Sequence, residues 1–273
     1  MSNNRSWRKS YQVGAIFLCT LIITLITSNY HPSSAETDQV HWEYSGESNA
    51  YVWGLLSPEF QTCTLGDKQS PINITNIDID DEQPGELAEI KFDYQSSAAE
   101  VVNNGHTIQV NYKPGNSVSI NNQKYKLLQF HFHTPSEHKI DDKSSAMEAH
   151  FVHQNDAGEL AVVGVMMNSG AENPQIAQIW QAIPEGNKAN KAQSITLNAA
   201  KLLPSDKTYV SYEGSLTTPP CSEGVSWNLL LEPIEVSSQQ IATFTNLYQN
   251  NARPIQALND RSVELHQDSV PQE

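Results

Sequence analysis

Three histidines, His131, His133 and His150, offer the most direct chemistry in this sequence. In Gln129-Phe130-His131-Phe132-His133 polar residues alternate with phenylalanines. A β-strand sends alternate side chains to opposite faces, so Gln129, His131 and His133 share one face and the two phenylalanines the other. The same rule groups Glu148, His150 and Val152 in Met147-Glu148-Ala149-His150-Phe151-Val152, and a neighbouring strand would bring this third imidazole to the first two. Three neutral nitrogen ligands with one open position is the donor set of a catalytic rather than a structural zinc. Copper or iron would accept the same set, and two of the histidines could instead be half-buried residues bonded to backbone carbonyls. A ligating imidazole usually gives its second nitrogen to an oxygen that fixes the ring. Gln129 and Glu148 share faces with the ligands and can supply that oxygen, whereas alone they would read as a surface amide and an exposed carboxylate.

The elements that must hold these residues are mainly strands. From about Glu100 to Leu231, short runs rich in Val, Ile, Tyr and Phe are broken by Asn103-Asn104-Gly105, Pro114-Gly115-Asn116 and Asp156-Ala157-Gly158, which are turn signals. Helical signals are fewer. Asn173-Pro174 opens a stretch with Ile176, Ile179, Trp180 and Ile183 at helical spacing, stopped by Pro184. Ser237 with Gln240 has the form of a capping box ahead of Ile241, Phe244, Leu247 and Tyr248, an apolar stripe for the core. The fold class is mainly β, with small peripheral helices.

The 273 residues contain no linker, repeat or low-complexity tract in the middle of the chain, so one domain is expected over residues 36–273. Residues 1–35 differ: Arg5, Arg8 and Lys9 precede an apolar run from Val13 to Thr27, and Ser33-Ser34-Ala35 offers a cleavage site. This pattern reads as a secretory signal, and the run is shorter than the ~20 residues of a membrane span. Membrane contact is expected only if the segment is retained. Its removal would leave the formal charge of −15 three units more negative. Such acidity points away from nucleic acid and would repel anions at long range, but not a neutral substrate. Of the three cysteines Cys19 would leave with the signal, and Cys63 and Cys221 could pair in an oxidising compartment or remain separate buried thiols.

Four motifs taken together, Gln129-Phe130-His131-Phe132-His133, Ser136-Glu137-His138, Glu148-Ala149-His150-Phe151-Val152-His153 and Ser215-Leu216-Thr217-Thr218-Pro219-Pro220, resemble the α-class carbonic anhydrases, of the exported bacterial type. Gln69-Ser70-Pro71-Ile72-Asn73-Ile74 and Asn251-Ala252-Arg253-Pro254 support the resemblance, which runs from about His41 to Arg261. It implies a single domain around a twisted, largely antiparallel sheet of about ten strands, with the metal in a conical cleft, and a Cys63–Cys221 bridge. It also implies reversible hydration of carbon dioxide to bicarbonate and a proton, by a zinc-bound hydroxide with histidine proton shuttling.

In that scheme His131, His133 and His150 hold Zn2+, and Gln129 and Glu148 orient them. Thr217 would accept a hydrogen bond from the hydroxide and donate its own proton to Glu137. Val152, Val162, Leu216, Trp227 and Thr218 would line the substrate pocket. His106, in Asn104-Gly105-His106, would shuttle the proton through waters ordered by Tyr44. Alone, Thr217 would read as a turn residue, Glu137 as a loop acid, His106 as a surface histidine and the pocket residues as core. His138 and His153 are assigned no metal role. Two features depart from the animal pattern: Thr134-Pro135 follows His133, and the loop between His133 and His150 is short. The expected location is the periplasm or the medium, with no obligate protein partner. Two other readings differ in class: a catalytically silent carbonic-anhydrase-like binding or adhesion module, expected to lack a ligand histidine, and a zinc hydrolase, for which no His-Glu-x-x-His segment is present.

Overall fold

Short β-branched and aromatic runs form the strands that the turn signals delimit. The computed structural model describes residues 40–75, 90–184 and 192–268; the expected signal segment at 1–35 lies outside them. The described strands are β1 (Asn73–Ile74), β2 (Lys91–Asp93), β3 (Ser97–Asn103), β4 (Ile108–Tyr112), β5 (Ser117–Ile120), β6 (Gln123–His133), β7 (Lys139–Ile140), β8 (Met147–Gln154), β9 (Leu160–Ser169), β10 (Gln193–Leu197), β11 (Tyr209–Ser215), β12 (Glu223–Val236) and β13 (Glu264–His266). Four short α-helices accompany them: α1 (Trp53–Leu56), α2 (Thr62–Leu65), α3 (Pro174–Gln181) and α4 (Ser238–Thr245). Gly105 and Gly158 adopt φ values of +93° and +88° in the β3–β4 and β8–β9 turns, the left-handed conformation that glycine reaches without strain.

Eleven strands form one sheet in the order β10-β3-β4-β6-β8-β9-β12-β11-β13, with β5 also paired to β6 and β2 to β5. Its pairings are antiparallel except β9–β12, which is parallel. β1 and β7 make a separate parallel pair. The sheet separates two apolar clusters. Phe130, Phe132, Ala149 and Phe151 pack with Ile176, Ile179 and Phe244 on the helical side. Val152, Val162, Val225, Trp227 and Leu229 form the second cluster. Phe130 and Phe132 thus turn β6 so that its histidines face away from α3 and α4.

The helices follow their caps. Asn173 Oδ1 accepts from the backbone N–H groups of Gln175 and Ile176, and Ser237 and Gln240 complete the capping box. Two details differ from the sequence expectation. α4 ends at Thr245, so Leu247 lies beyond it and is 45 % exposed instead of joining the core stripe. β13 carries no run long enough to stand out; its three residues are held by pairing with β11.

Cys63 and Cys221 form a disulfide across a sequence separation of 158 residues, beside the fully buried Trp53. The bridge thus joins α2 to the turn that begins at Thr217. Opening it frees a loop of that size in the unfolded chain, which on the chain-entropy argument is worth at most ~5 kcal/mol. Cys63→Ser/Cys221→Ser is therefore expected to melt roughly 10 °C lower than the parent in calorimetry; equal melting temperatures would mean that the bridge is energetically silent.

His153 lies on the opposite face of β8 from His150, as its position three residues further along the strand requires. It is fully buried, its Nδ1 lies 3.3 Å from the Ala161 carbonyl, and its Nε2 lies 2.5 Å from the Tyr94 hydroxyl. A carbonyl only accepts, so Nδ1 carries the proton and the Tyr94 hydroxyl donates to Nε2. Burial pushes the imidazole down to about 4 from the ordinary 6.5. Between those values the unfolded chain binds the proton and the folded chain does not, so stability falls as pH drops through this window, by up to ~3 kcal/mol. Urea midpoints of the parent are expected to drop more steeply from pH 6.5 to 4 than those of His153→Phe; parallel curves would exclude His153 as a cause.

Candidate metal centre and its cleft

β6 and β8 pair in a register that sets His131 opposite His150 and His133 opposite Glu148. The imidazole centroids lie 5.1 Å (His131–His133), 5.3 Å (His131–His150) and 4.5 Å (His133–His150) apart, and one ligand atom from each residue lies within 4.8 Å of the others. Each ring has one nitrogen tied to its own acceptor. His131 Nδ1 is 2.9 Å from Gln129 Oε1, His133 Nδ1 is 2.7 Å from the Asn251 carbonyl, and His150 Nε2 is 2.9 Å from Glu148 Oε1. That leaves Nε2 of His131, Nε2 of His133 and Nδ1 of His150 without these partners. His133 Nε2 is buried with no hydrogen bond at all, a state that costs free energy unless something binds there.

Electrostatics favour neutral ligands at two of the three positions. Burial holds His131 well below the ordinary histidine range, reinforced by His133 and His150, and burial also lowers His133. Burial acts on His150 in the same direction, but the Glu148 carboxylate overcomes it and raises His150. Glu148, which burial would push up, is held well below the usual carboxylate range by His138 and His150. A cation at this site would therefore compete with a proton chiefly at His150.

The cleft above the three rings has a volume of about 260 Å³. Val152, Val162, Leu216 and Trp227 form its apolar side, Thr217 and Thr218 lie beside them, and Trp42, Tyr44, Asn104 and His106 occupy the same cavity wall. His106 stacks flat on Trp42, with 3.8 Å between centroids and 9° between planes, and lies 6.5 Å from the Tyr44 ring. Burial pushes His106 below its ordinary value, Glu43 opposing the shift and His41 adding to it.

The model of the eukaryotic-type carbonic anhydrase family matches residues 48–267. The chain belongs to the α-carbonic anhydrase family. A carbonic anhydrase from a Nostoc species is 42% identical over 252 residues, which is 92% of this chain and 94% of that protein. One from Pectobacterium carotovorum is 44% identical over 234 residues, 85% of this chain and 93% of the relative. The solved α-carbonic anhydrase of Thermovibrio ammonificans, in complex with the inhibitor sulfanilamide, superposes with a TM-score of 0.78 at 42% identity and covers 82% of this chain and 99% of its own.

Against the α-carbonic anhydrase expectation one contact is different. Glu137 Oε1 accepts a 2.7 Å hydrogen bond from the Arg253 backbone N–H, but Glu137 Oε2 is buried with no hydrogen-bond partner, 3.8 Å from His150 Nδ1, and Thr217 does not donate to it. The carboxylate is held by the backbone of the C-terminal segment, so its position does not depend on the threonine. Sequence reasoning also missed four residues. The Asn251 carbonyl orients His133, while its side chain bonds the Thr134 N–H and the carbonyls of His106 and Phe132. Arg253, 2 % exposed, donates to the carbonyls of Ser70 and Cys63. His138, set aside as a non-ligand, bonds Glu148 Oε1 at 2.8 Å and the Tyr212 hydroxyl at 2.7 Å, extending the support of His150 through Tyr212 to Ser70. Trp42 supplies the surface under His106. All lie in or beside motifs that carry the family resemblance, but a backbone carbonyl 118 residues away leaves no local signal.

Proposed function

We propose that the chain interconverts carbon dioxide and bicarbonate at a zinc ion held by His131, His133 and His150, outside the cytoplasmic membrane. The observation that carries this reading is the convergence of three imidazoles, each with one nitrogen committed to a separate acceptor and the other within reach of the group. Zinc bound there supplies a Lewis acid that turns water into a nucleophile near neutral pH, behaviour established for carbonic anhydrases. Val152, Val162, Leu216 and Trp227 keep an apolar pocket for a small uncharged substrate, with Thr218 at its edge. Glu137, fixed through Oε1, has in Oε2 the acceptor that the Thr217 hydroxyl needs. With its O–H directed at that oxygen, Thr217 turns a lone pair toward the attacking oxygen and orients it. His106 takes the released proton toward solvent, and Tyr44 shapes the path beside it.

Export is supported by the disulfide and by the pattern of residues 1–35. Among the described residues no helix is long and apolar enough to cross a membrane. Stopped-flow hydration of carbon dioxide by the purified chain, with zinc content measured in parallel and chelated enzyme as control, tests the reading. Activity that vanishes on chelation is expected. Folded, zinc-loaded protein with no hydration above buffer would overturn it in favour of a binding module. Periplasmic fractionation tests the location.

A further inference from the structure

Asn251 lies in the segment between α4 and β13 and is 1% exposed. Its side-chain amide meets the chain on both sides of a ligand histidine. Oδ1 accepts from the Thr134 N–H at 2.8 Å, and Nδ2 donates to the Phe132 carbonyl at 2.9 Å, so the amide brackets His133. Nδ2 also donates to the His106 carbonyl, at 3.0 Å. A primary amide has two donor hydrogens and one acceptor oxygen, and all of them are engaged here. The ladder between β4 and β6 does not reach this far, since its last pair toward His133 joins Gln109 to His131. His106 therefore lies beyond the paired strands, after the exposed Asn104-Gly105 turn. Its main chain has one bond inside that turn, from N–H to Asn104 Oδ1 at 3.0 Å, and one to the body of the protein, the bond from Asn251.

We propose that the Asn251 side chain is a positioning group that holds the His106 peptide in register with the metal site, one amide serving both the shuttle histidine and the ligand His133. This rests on the readings of His106 as shuttle and of His133 as zinc ligand. The His106 ring is otherwise placed by its stack on Trp42. Stacking restrains tilt more than lateral position, whereas a hydrogen bond to the His106 carbonyl fixes the backbone from which the ring projects. An aspartate at this position would set a carboxylate oxygen against two carbonyl oxygens. An apolar residue would leave the buried Thr134 N–H without its acceptor. The Asn251 main-chain carbonyl, which accepts from His133 Nδ1, is present in any variant, so the side chain's share can be removed by itself. Displacing the His106 ring lengthens the path for the released proton without altering the attack on carbon dioxide.

The test uses the zinc-loaded enzyme. Asn251→Ala is expected to lower kcat about fivefold in dilute buffer while kcat/KM stays within about twofold, and added imidazole should restore the loss. The same variant should bind zinc about tenfold more weakly in competition with a chelator. Asn251→Ser keeps one donor and should lie between the parent and Asn251→Ala on both readouts. Gln240→Ala, which removes a buried amide from the contact with Asn173, should lower the melting temperature and move neither readout, which separates positioning from loss of stability. In a His106→Ala background, Asn251→Ala should cost no further kcat and still weaken zinc binding. Parent-like kcat for Asn251→Ala in dilute buffer, an equal loss in both backgrounds, or unchanged zinc affinity overturns the inference while leaving His106 as the shuttle. Full kcat for His106→Ala in dilute buffer would instead overturn the shuttle reading, and the inference with it.

Discussion

His150→Ala is expected to fold, to purify with little zinc, and to lose carbon dioxide hydration. Structural zinc sites bind with an apparent ~10–16 kcal/mol, so one of about four bonds is worth ~3 kcal/mol and its loss costs roughly a hundredfold or more in affinity. Loss of the His150 ring also disturbs its neighbours. Its Nε2 shares Glu148 Oε1 with His138, so the variant leaves a fully buried carboxylate with one fewer donor. Zinc stoichiometry after dialysis, read beside a melting curve, checks the prediction. A folded variant holding a full equivalent of zinc at the parent's affinity would remove His150 from the ligand set.

Thr217→Val keeps the side-chain volume and removes the hydroxyl. The expected result is full zinc occupancy with kcat/KM lower by about 10²-fold, the size of effect seen when one oriented hydrogen-bonding group is removed from an active site. Glu137 has Oε1 already taken by the Arg253 N–H, while Oε2 is buried without a hydrogen bond. An acceptor in that position can select one orientation of a neighbouring hydroxyl. If the two residues act as a unit, Glu137→Gln alone will show a loss of similar order, and the double variant will fall no further than either single one. Additive losses would separate the two roles. Parent-like activity in Thr217→Val would remove the orienting role altogether.

The three-histidine cluster was legible because its information is local. Alternation within β6 and β8 puts Gln129, His131, His133, Glu148 and His150 on usable faces, and the structure pairs those strands directly. The two helix caps were equally readable, since Asn173 and Ser237 act within three residues of themselves. What the residues alone did not reveal is long-range. The parallel pairing of β9 with β12 joins segments on either side of α3, β10 and β11, and nothing in either strand names its partner. The Asn251 carbonyl that orients His133, and the Arg253 backbone that holds Glu137, are main-chain groups with no side-chain signature. The disulfide stood between these cases: two cysteines could be counted, but only the fold brings them to a Cα separation of 5.0 Å.

The register of β6 against β8 also implies an order of assembly. All three imidazoles, with Gln129 and Glu148, lie within residues 129–150 on strands that pair directly. This part of the site needs only a short loop to close, at small entropic cost. Thr217, Cys221, β12 and Arg253 come later in the chain, and the bonds of Cys221 to Cys63 and of Arg253 to Glu137 and Cys63 span more than a hundred residues. Contacts of such range form slowly. During synthesis, a chain that has emerged only as far as β8 already carries both strands of the candidate metal site, whereas Thr217 and the Arg253 backbone that holds Glu137 arrive with the final third of the polypeptide.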